Sequence, residues 1–217
     1  MEEATTLADL RRNLAPAIAD AAAFDGWSAQ AVEQAARQHG VDPELAAYAF
    51  GGKQMAMIEA WIEAIDAAMF AAVPADSLAG VPVREKIRRL VMARLEAASG
   101  REEALTRALA IMAMPQNLAR AAQLGWYSAD LMWRVAGDTA TDYNHYTKRT
   151  TLGALYAATL QVFAREKDPE KPETRAFLER RIEGILRFEK VKAQLTRSPD
   201  ERFSLTRFLG RLRYPAR

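Results

Sequence analysis

Apolar residues return at three- and four-residue spacing along most of the chain, and Gly, Pro and Ser mark the breaks between runs. Leu7, Leu10, Leu14, Ile18 and Ala21 share one face of a first helix over 7–23, which Asp25-Gly26 ends. Ser28 is placed to cap a second helix through Arg37, because a hydroxyl there accepts an unpaired backbone N–H. Gly40 stops it. Val41-Asp42-Pro43 opens a short third helix, since Pro fits a first turn whose N–H is unpaired anyway. Gly51-Gly52 ends that one, and 53–70 forms a fourth.

Pro74 to Pro82, PADSLAGVP, reads as a linker. A fifth helix over 83–98 turns Ile87, Leu90, Val91 and Leu95 inward and Arg84, Lys86, Arg88 and Arg94 mostly outward. A sixth over 101–124 bends at Pro115, which lacks a backbone donor and clashes one turn back. Gly125 follows, and Ser128 starts a seventh reaching about Ala136. The eighth is the centre of the chain. Asp138, Thr139 or Thr141 can cap it, and Leu152, Leu155, Tyr156, Thr159, Leu160 and Phe163 recur on one face. No charge falls between Arg149 and Arg165, so this helix is surrounded by protein or by something oily. A ninth covers 173–195, and Ser198-Pro199-Asp200 precedes a last short helix. The expected fold is all-α, a bundle of about nine to ten helices. The expected domains are 1–73, 83–197 and 198–217.

Composition narrows the chemistry. Half of the residues are hydrophobic (50%) and 27% charged, enough for a sizeable core. The formal net charge of +2 says little about partners. There is no cysteine, hence no disulfide framework and no thiolate nucleophile or ligand. Only His39 and His145 are histidines. Asp142 and His145 have the spacing of half a di-iron carboxylate site, but such a site needs a second acid–His pair and two more carboxylates. No metal site and no catalytic set is expected. Methionines at 55, 57, 69, 92, 112, 114 and 132 suit either a pliable pocket or ordinary core filling.

Helices one to four have helix-turn-helix spacing and resemble the N-terminal domain of TetR-type regulators, on Gly40, Val41, Tyr48 and Phe50. The electrostatics oppose DNA. From Phe24 to Ala60 the acids are Asp25, Glu33, Asp42, Glu44 and Glu59, against Arg37 and Lys53. A DNA reader needs cations to neutralise phosphates. The motif reads as degenerate, and no nucleic-acid partner is expected.

The run GDTATDYNHYTKRTTLGALYAATL from Gly137, with FLERRI from Phe177 to Ile182, resembles the ninth Coq protein of ubiquinone biosynthesis. The resemblance is densest from about Leu131 to Ile185. It implies a TetR-like fold that binds isoprenoid lipid and has no catalysis of its own. It implies a polyprenylated quinone precursor as bound lipid, no other cofactor, and the demethoxyubiquinone hydroxylase as partner. The patch assigned to that partner is Asp138, Asp142, Tyr143, His145, Tyr146, Lys148 and Arg149. The lipid lining is assigned to Met112, Met114, Met132, Trp133, Leu152, Leu155, Tyr156 and Leu160. A homodimer through the eighth and ninth helices follows by analogy with TetR-type bundles. The rival reading is a TetR-type repressor with an apolar effector.

The last eighteen residues, DERFSLTRFLGRLRYPAR, are basic and amphipathic, a pattern that suits an anionic membrane surface. Phe203, Leu205, Arg207, Phe208, Leu209, Arg211 and Leu212 are the expected membrane contacts. No stretch approaches the roughly 20 apolar residues that span a bilayer. Glu2 and Glu3 argue against a mitochondrial transit peptide, so the expectation is a bacterial family member. It would be cytoplasmic and peripheral on the inner face of the bacterial inner membrane.

Overall fold

A computed structural model describes residues 6–139 and 143–196, and the regular structure among them is helical. The described residues form nine α-helices in order: α1 (Leu7–Asp25), α2 (Ala29–Gln38), α3 (Pro43–Phe50), α4 (Gln54–Ala72), α5 (Val83–Ala97), α6 (Glu102–Met112), α7 (Leu118–Val135), α8 (Tyr143–Arg165) and α9 (Pro172–Thr196). The chain divides into two compact units, Met1–Glu179 and Arg180–Arg217. In the second, α9 continues as helix to Thr196.

Local chemistry explains the helix ends. Thr6 and Asp9 form a reciprocal capping box at α1, and the Ser28 hydroxyl accepts the Ala31 N–H at α2. Gly40 ends α2 with a positive φ of 66°, the Val41 N–H reaching back to the Ala36 carbonyl. Gly137, at φ 86°, closes α7 in the same way, with Asp138 N–H on the Trp133 carbonyl.

The N-terminal helices and the later bundle share contacts. Trp27 packs against Trp61 with ring centroids 5.4 Å apart, and its indole N–H donates to the Ala104 carbonyl at 3.0 Å. Arg101 pairs with Asp20 at 2.7 Å. The segment read as a linker carries a 3₁₀ turn, Ala75–Leu78, whose Leu78 is fully buried. Burying one such side chain is worth about 1.5–3 kcal/mol.

Three expectations are corrected here. Residues 101–124 do not form one bent helix. Pro115 breaks the chain outright, α6 stopping at Met112 and α7 starting at Leu118 after a 3₁₀ turn. The Asn117 side chain donates to the Ile111 carbonyl at 2.8 Å, satisfying an end that Pro cannot. Gly125 and Ser128 do not separate two helices either, because α7 runs through both. Here α8 comes close to α7 at its own Gly153: a Cβ there would stand 3.7 Å from the Gly125 carbonyl oxygen and 3.9 Å from Ala129 Cβ. Finally, Arg94 points inward. It sits in register with Ile87, Leu90 and Val91 at three- and four-residue spacing, and that register places it in the core.

Candidate functional site

The polar start of α8 is tied to α7 by ion pairs and hydrogen bonds. Arg149 is 3% exposed and donates from Nε to Asp130 Oδ1 at 2.5 Å. Its Nη1 donates to Asp138 Oδ2 at 3.1 Å and to the His145 carbonyl at 3.2 Å. Lys148 donates to Asp138 Oδ1 at 2.6 Å and lies over the Trp133 ring. The Trp133 indole N–H donates to the Lys148 carbonyl at 3.0 Å. Burial alone would raise the Asp138 carboxyl, but the hydrogen bonds and charges of Lys148 and Arg149 outweigh it and hold it below its usual range.

Outside this frame stands an aromatic cluster. Tyr146 is 61% exposed, and Trp126 and Tyr127 of α7 are also exposed. Trp126 lies 6.0 Å from Tyr146 and 6.3 Å from His145, and the His145 and Tyr146 rings meet edge-on at 5.2 Å. Exposed aromatics held on a fixed frame are favoured anchors for a protein partner.

Behind the cluster, α4 to α8 enclose an apolar cavity of about 260 Å³. Trp61, Leu105, Met112, Leu124, Tyr156 and Leu160 line it, with Gly125 and Gly153 widening it where α7 and α8 cross. One wall is polar. Arg94 donates to the Ser128 hydroxyl at 3.0 Å, lies 4.9 Å from the Tyr156 ring centroid, and is ion-paired with Asp66 of α4. A separate open groove of about 920 Å³ runs between α4 and α7, lined by Asp66, Phe70, Arg120, Trp126 and Tyr127 among others.

The expected site residues scatter over these features. Met112, Tyr156 and Leu160 line the cavity. Met132, Leu152 and Leu155 are buried without being part of its lining, Trp133 braces α8, and Met114 is exposed at the Pro115 turn. In the partner patch, Tyr146 is exposed and Lys148 half-exposed, whereas the Asp138 and Arg149 side chains are buried and organise the patch from below. Asp138 was also a candidate cap for α8, and its carboxylate goes to Lys148 and Arg149 instead. Tyr143 opens α8, and Asp142 and the capping candidate Thr141 lie outside the described residues. So do Phe203, Leu205, Arg207, Phe208, Leu209, Arg211 and Leu212.

Sequence reasoning missed Trp126, Tyr127, Asp66 and Arg94. The last two carry a readable signal, a charge in phase with an apolar stripe on α4 and α5. Among the described residues no group of three or more His, Cys, Asp or Glu could hold a metal, and no helix is long and apolar enough to cross a membrane.

Known proteins resemble this chain over the same region. The family model described as COQ9 matches residues 118–189, which spans α7, α8 and much of α9. The mitochondrial ubiquinone biosynthesis protein COQ9 of Rattus norvegicus is 30% identical over 168 residues, 74% of this chain and 54% of that protein. The Homo sapiens protein is 29% identical over 168 residues, 74% of this chain and 52% of its own length. COQ9-B of Xenopus laevis is 34% identical over 101 residues, 46% of this chain and 34% of that protein. The chain thus spans about half the length of the first two relatives. A TetR transcriptional regulator from Nitrosomonas europaea superposes with a TM-score of 0.63 at 18% identity, covering 80% of this chain and 95% of that one. The fold is therefore TetR-like. The similarity to COQ9 read from the Gly137 run recurs in these matches. The expectation of a bacterial member on a bacterial inner membrane does not hold: the relatives are eukaryotic and named mitochondrial. That expectation rested on the first few residues, which carry no such information in a chain spanning half of its relatives.

Proposed function

We propose that this chain is a COQ9-type accessory protein of ubiquinone biosynthesis, one that binds lipid and has no catalysis of its own. The observation that carries the reading is a coincidence in place. The COQ9 match over 118–189 falls on the helices that bear the aromatic cluster and one wall of the apolar cavity. In this reading the bound lipid is a polyprenylated quinone precursor whose apolar chain enters the cavity. Its head is presented to the demethoxyubiquinone hydroxylase, which docks on Trp126, Tyr127, His145, Tyr146 and Lys148. Asp138 and Arg149 keep that surface in shape from beneath. The basic amphipathic tail, 198–217, brings the protein to an anionic membrane surface where such lipids reside.

The TetR-like fold also suits a repressor with an apolar effector. The charge of α3 disfavours that reading. It carries no Lys or Arg, and Asp42 and Glu44 stand at its start.

Tyr146→Ala tests the docking surface. Tyr146 is exposed, so stability should change by less than about 0.5 kcal/mol. Association with the hydroxylase, measured by calorimetry, should weaken about tenfold or more, as for an aromatic anchor. Unchanged affinity would remove Tyr146 from the interface.

A further inference from the structure

Two stretches of the chain carry no charge, 108–119 and 150–164, and the fold brings them together. The first is the end of α6 with the turn that follows it, the second is most of α8, and these two helices pack on each other. The apolar cavity reaches the surface at that meeting place. Two of its lining residues, Ala113 and Ala157, are exposed, and their small side chains leave a doorway. Beside it stand Met114, 40% exposed, and Leu118, 54% exposed. Leu118 lies one turn before Ala121, which also lines the cavity. The cations that bound the first stretch are engaged elsewhere: Arg107 pairs with Glu103 at 3.0 Å and Arg120 with Glu59 of α4. An ordinary protein surface is about 25–35% charged, and its exposed apolar side chains are scattered singly. Here no charge interrupts the exposed apolar rim of a cavity.

We propose that this rim docks on a lipid bilayer: Met114 and Leu118 enter the boundary between headgroups and acyl chains, and the cavity takes up its lipid through the doorway between Ala113 and Ala157. This rests on the lipid-binding reading above and adds the route by which the lipid arrives. The apolar chain goes in first and the head stays outside, available to a partner. A bilayer is the occupant that the chemistry of the rim fits. Backbone groups that face acyl chains need partners inside the protein. In the turn the Met114 N–H donates to the Ile111 carbonyl at 3.2 Å, and the Asn117 N–H to the Met114 carbonyl at 2.8 Å. The Asn117 side chain donates to the Ile111 carbonyl at 2.8 Å, and Pro115 has no N–H to satisfy. The side chains that are most costly to take out of water, those of Lys, Arg, Asp and Glu, are the ones missing. Contact at the doorway also spares the apolar chain a passage through water between membrane and cavity.

The chain has no cysteine, so Leu118→Cys can be labelled alone with the environment-sensitive dye NBD, with the exposed Glu33→Cys of α2 as control. Vesicles of phosphatidylcholine are used, so that the arginines of 198–217 gain nothing from lipid charge. On vesicle addition the dye at 118 should brighten several-fold and shift to the blue, and the dye at 33 should not. No change at 118, or equal changes at both positions, would overturn the proposal. A dye at 118 that responds to protein concentration without vesicles would show that a second copy covers the rim, and would overturn it too. Uptake is tested with retinol, an uncharged isoprenoid whose absorption overlaps tryptophan emission, with Trp61 in the cavity wall as donor. The double variant Met114→Asp/Leu118→Asp should bind retinol from solution within about twofold of wild type, since both positions are exposed. Its uptake of retinol from vesicles should be slower by about tenfold or more, because a carboxylate resists entry into the bilayer. Equal uptake rates would overturn the doorway while leaving lipid binding in place. If retinol does not bind the wild-type chain at all, the lipid-binding reading falls and the doorway with it.

Discussion

Arg149 of α8 and Asp130 of α7 meet at 2.5 Å in the interior, each less than a tenth exposed. The pair fixes where the polar end of α8 sits on α7, and the exposed Tyr146, one turn earlier, inherits its position from it. Removing one partner strands the other charge in a poorly solvated site. Arg149→Glu is therefore expected to lower unfolding free energy by about 3–5 kcal/mol. Denaturant melts of purified variants measure this. A shift below about 1 kcal/mol would show that Arg149 is a surface residue in solution.

Gly153 tests the close crossing of α7 and α8. A methyl there reaches only ordinary van der Waals distances from Gly125 and Ala129. Gly153→Ala should thus gain about 0.5–1 kcal/mol, because glycine inside a helix is costly in entropy. Gly153→Leu should lose about 1–3 kcal/mol, since its larger side chain has to push α8 away. Thermal melts of the two variants moving in the same direction would contradict the crossing.

Most of this fold is legible in the sequence because the period of apolar residues and the Gly and Pro punctuation are local signals. Ser28, Gly40 and Gly51 do what their chemistry suggests. Reading fails where tertiary contact decides. Gly125 looks like a break and is a contact point for α8. Arg94 looks like part of a solvated basic face, because the four other cations of α5 outweigh its register with the apolar stripe. Arg149 looks like a surface anchor, because its partners Asp130 and Asp138 are 19 and 11 residues away. The same distance problem hides the aromatic cluster, which needs α7 and α8 side by side before Trp126 reaches Tyr146.

Acid should loosen the same region. Asp138 and Glu166 are both buried, which by itself raises their carboxyls, yet both are held below their ordinary values of 3.8 and 4.5. For Glu166 the opposing causes are the Thr174 hydroxyl, the Glu173 and Thr174 N–H groups at the start of α9, and the Lys171 charge. A carboxyl whose folded pKa is depressed stabilises the fold above its unfolded pKa and loses that contribution as pH falls through the folded value. Stability from these groups should be constant near neutral pH and decline below about 4.5. Asp138→Asn should be less stable than wild type at neutral pH and should show a shallower decline in urea midpoint between about pH 5 and 3. Identical slopes for the two proteins would contradict the ionised Asp138.

Mass spectrometry of lipid extracted from the purified full chain tests the central claim most directly, with Gly125→Leu as the comparison. Gly125 lines the cavity, and a Cβ there meets nothing within 4 Å, so a leucine enters open space rather than the backbone. The account predicts that wild type carries an uncharged isoprenoid lipid. It also predicts that Gly125→Leu, folded and at least as stable, carries several-fold less. A wild-type protein that yields no such lipid, or a filled cavity that retains the same amount, would contradict it.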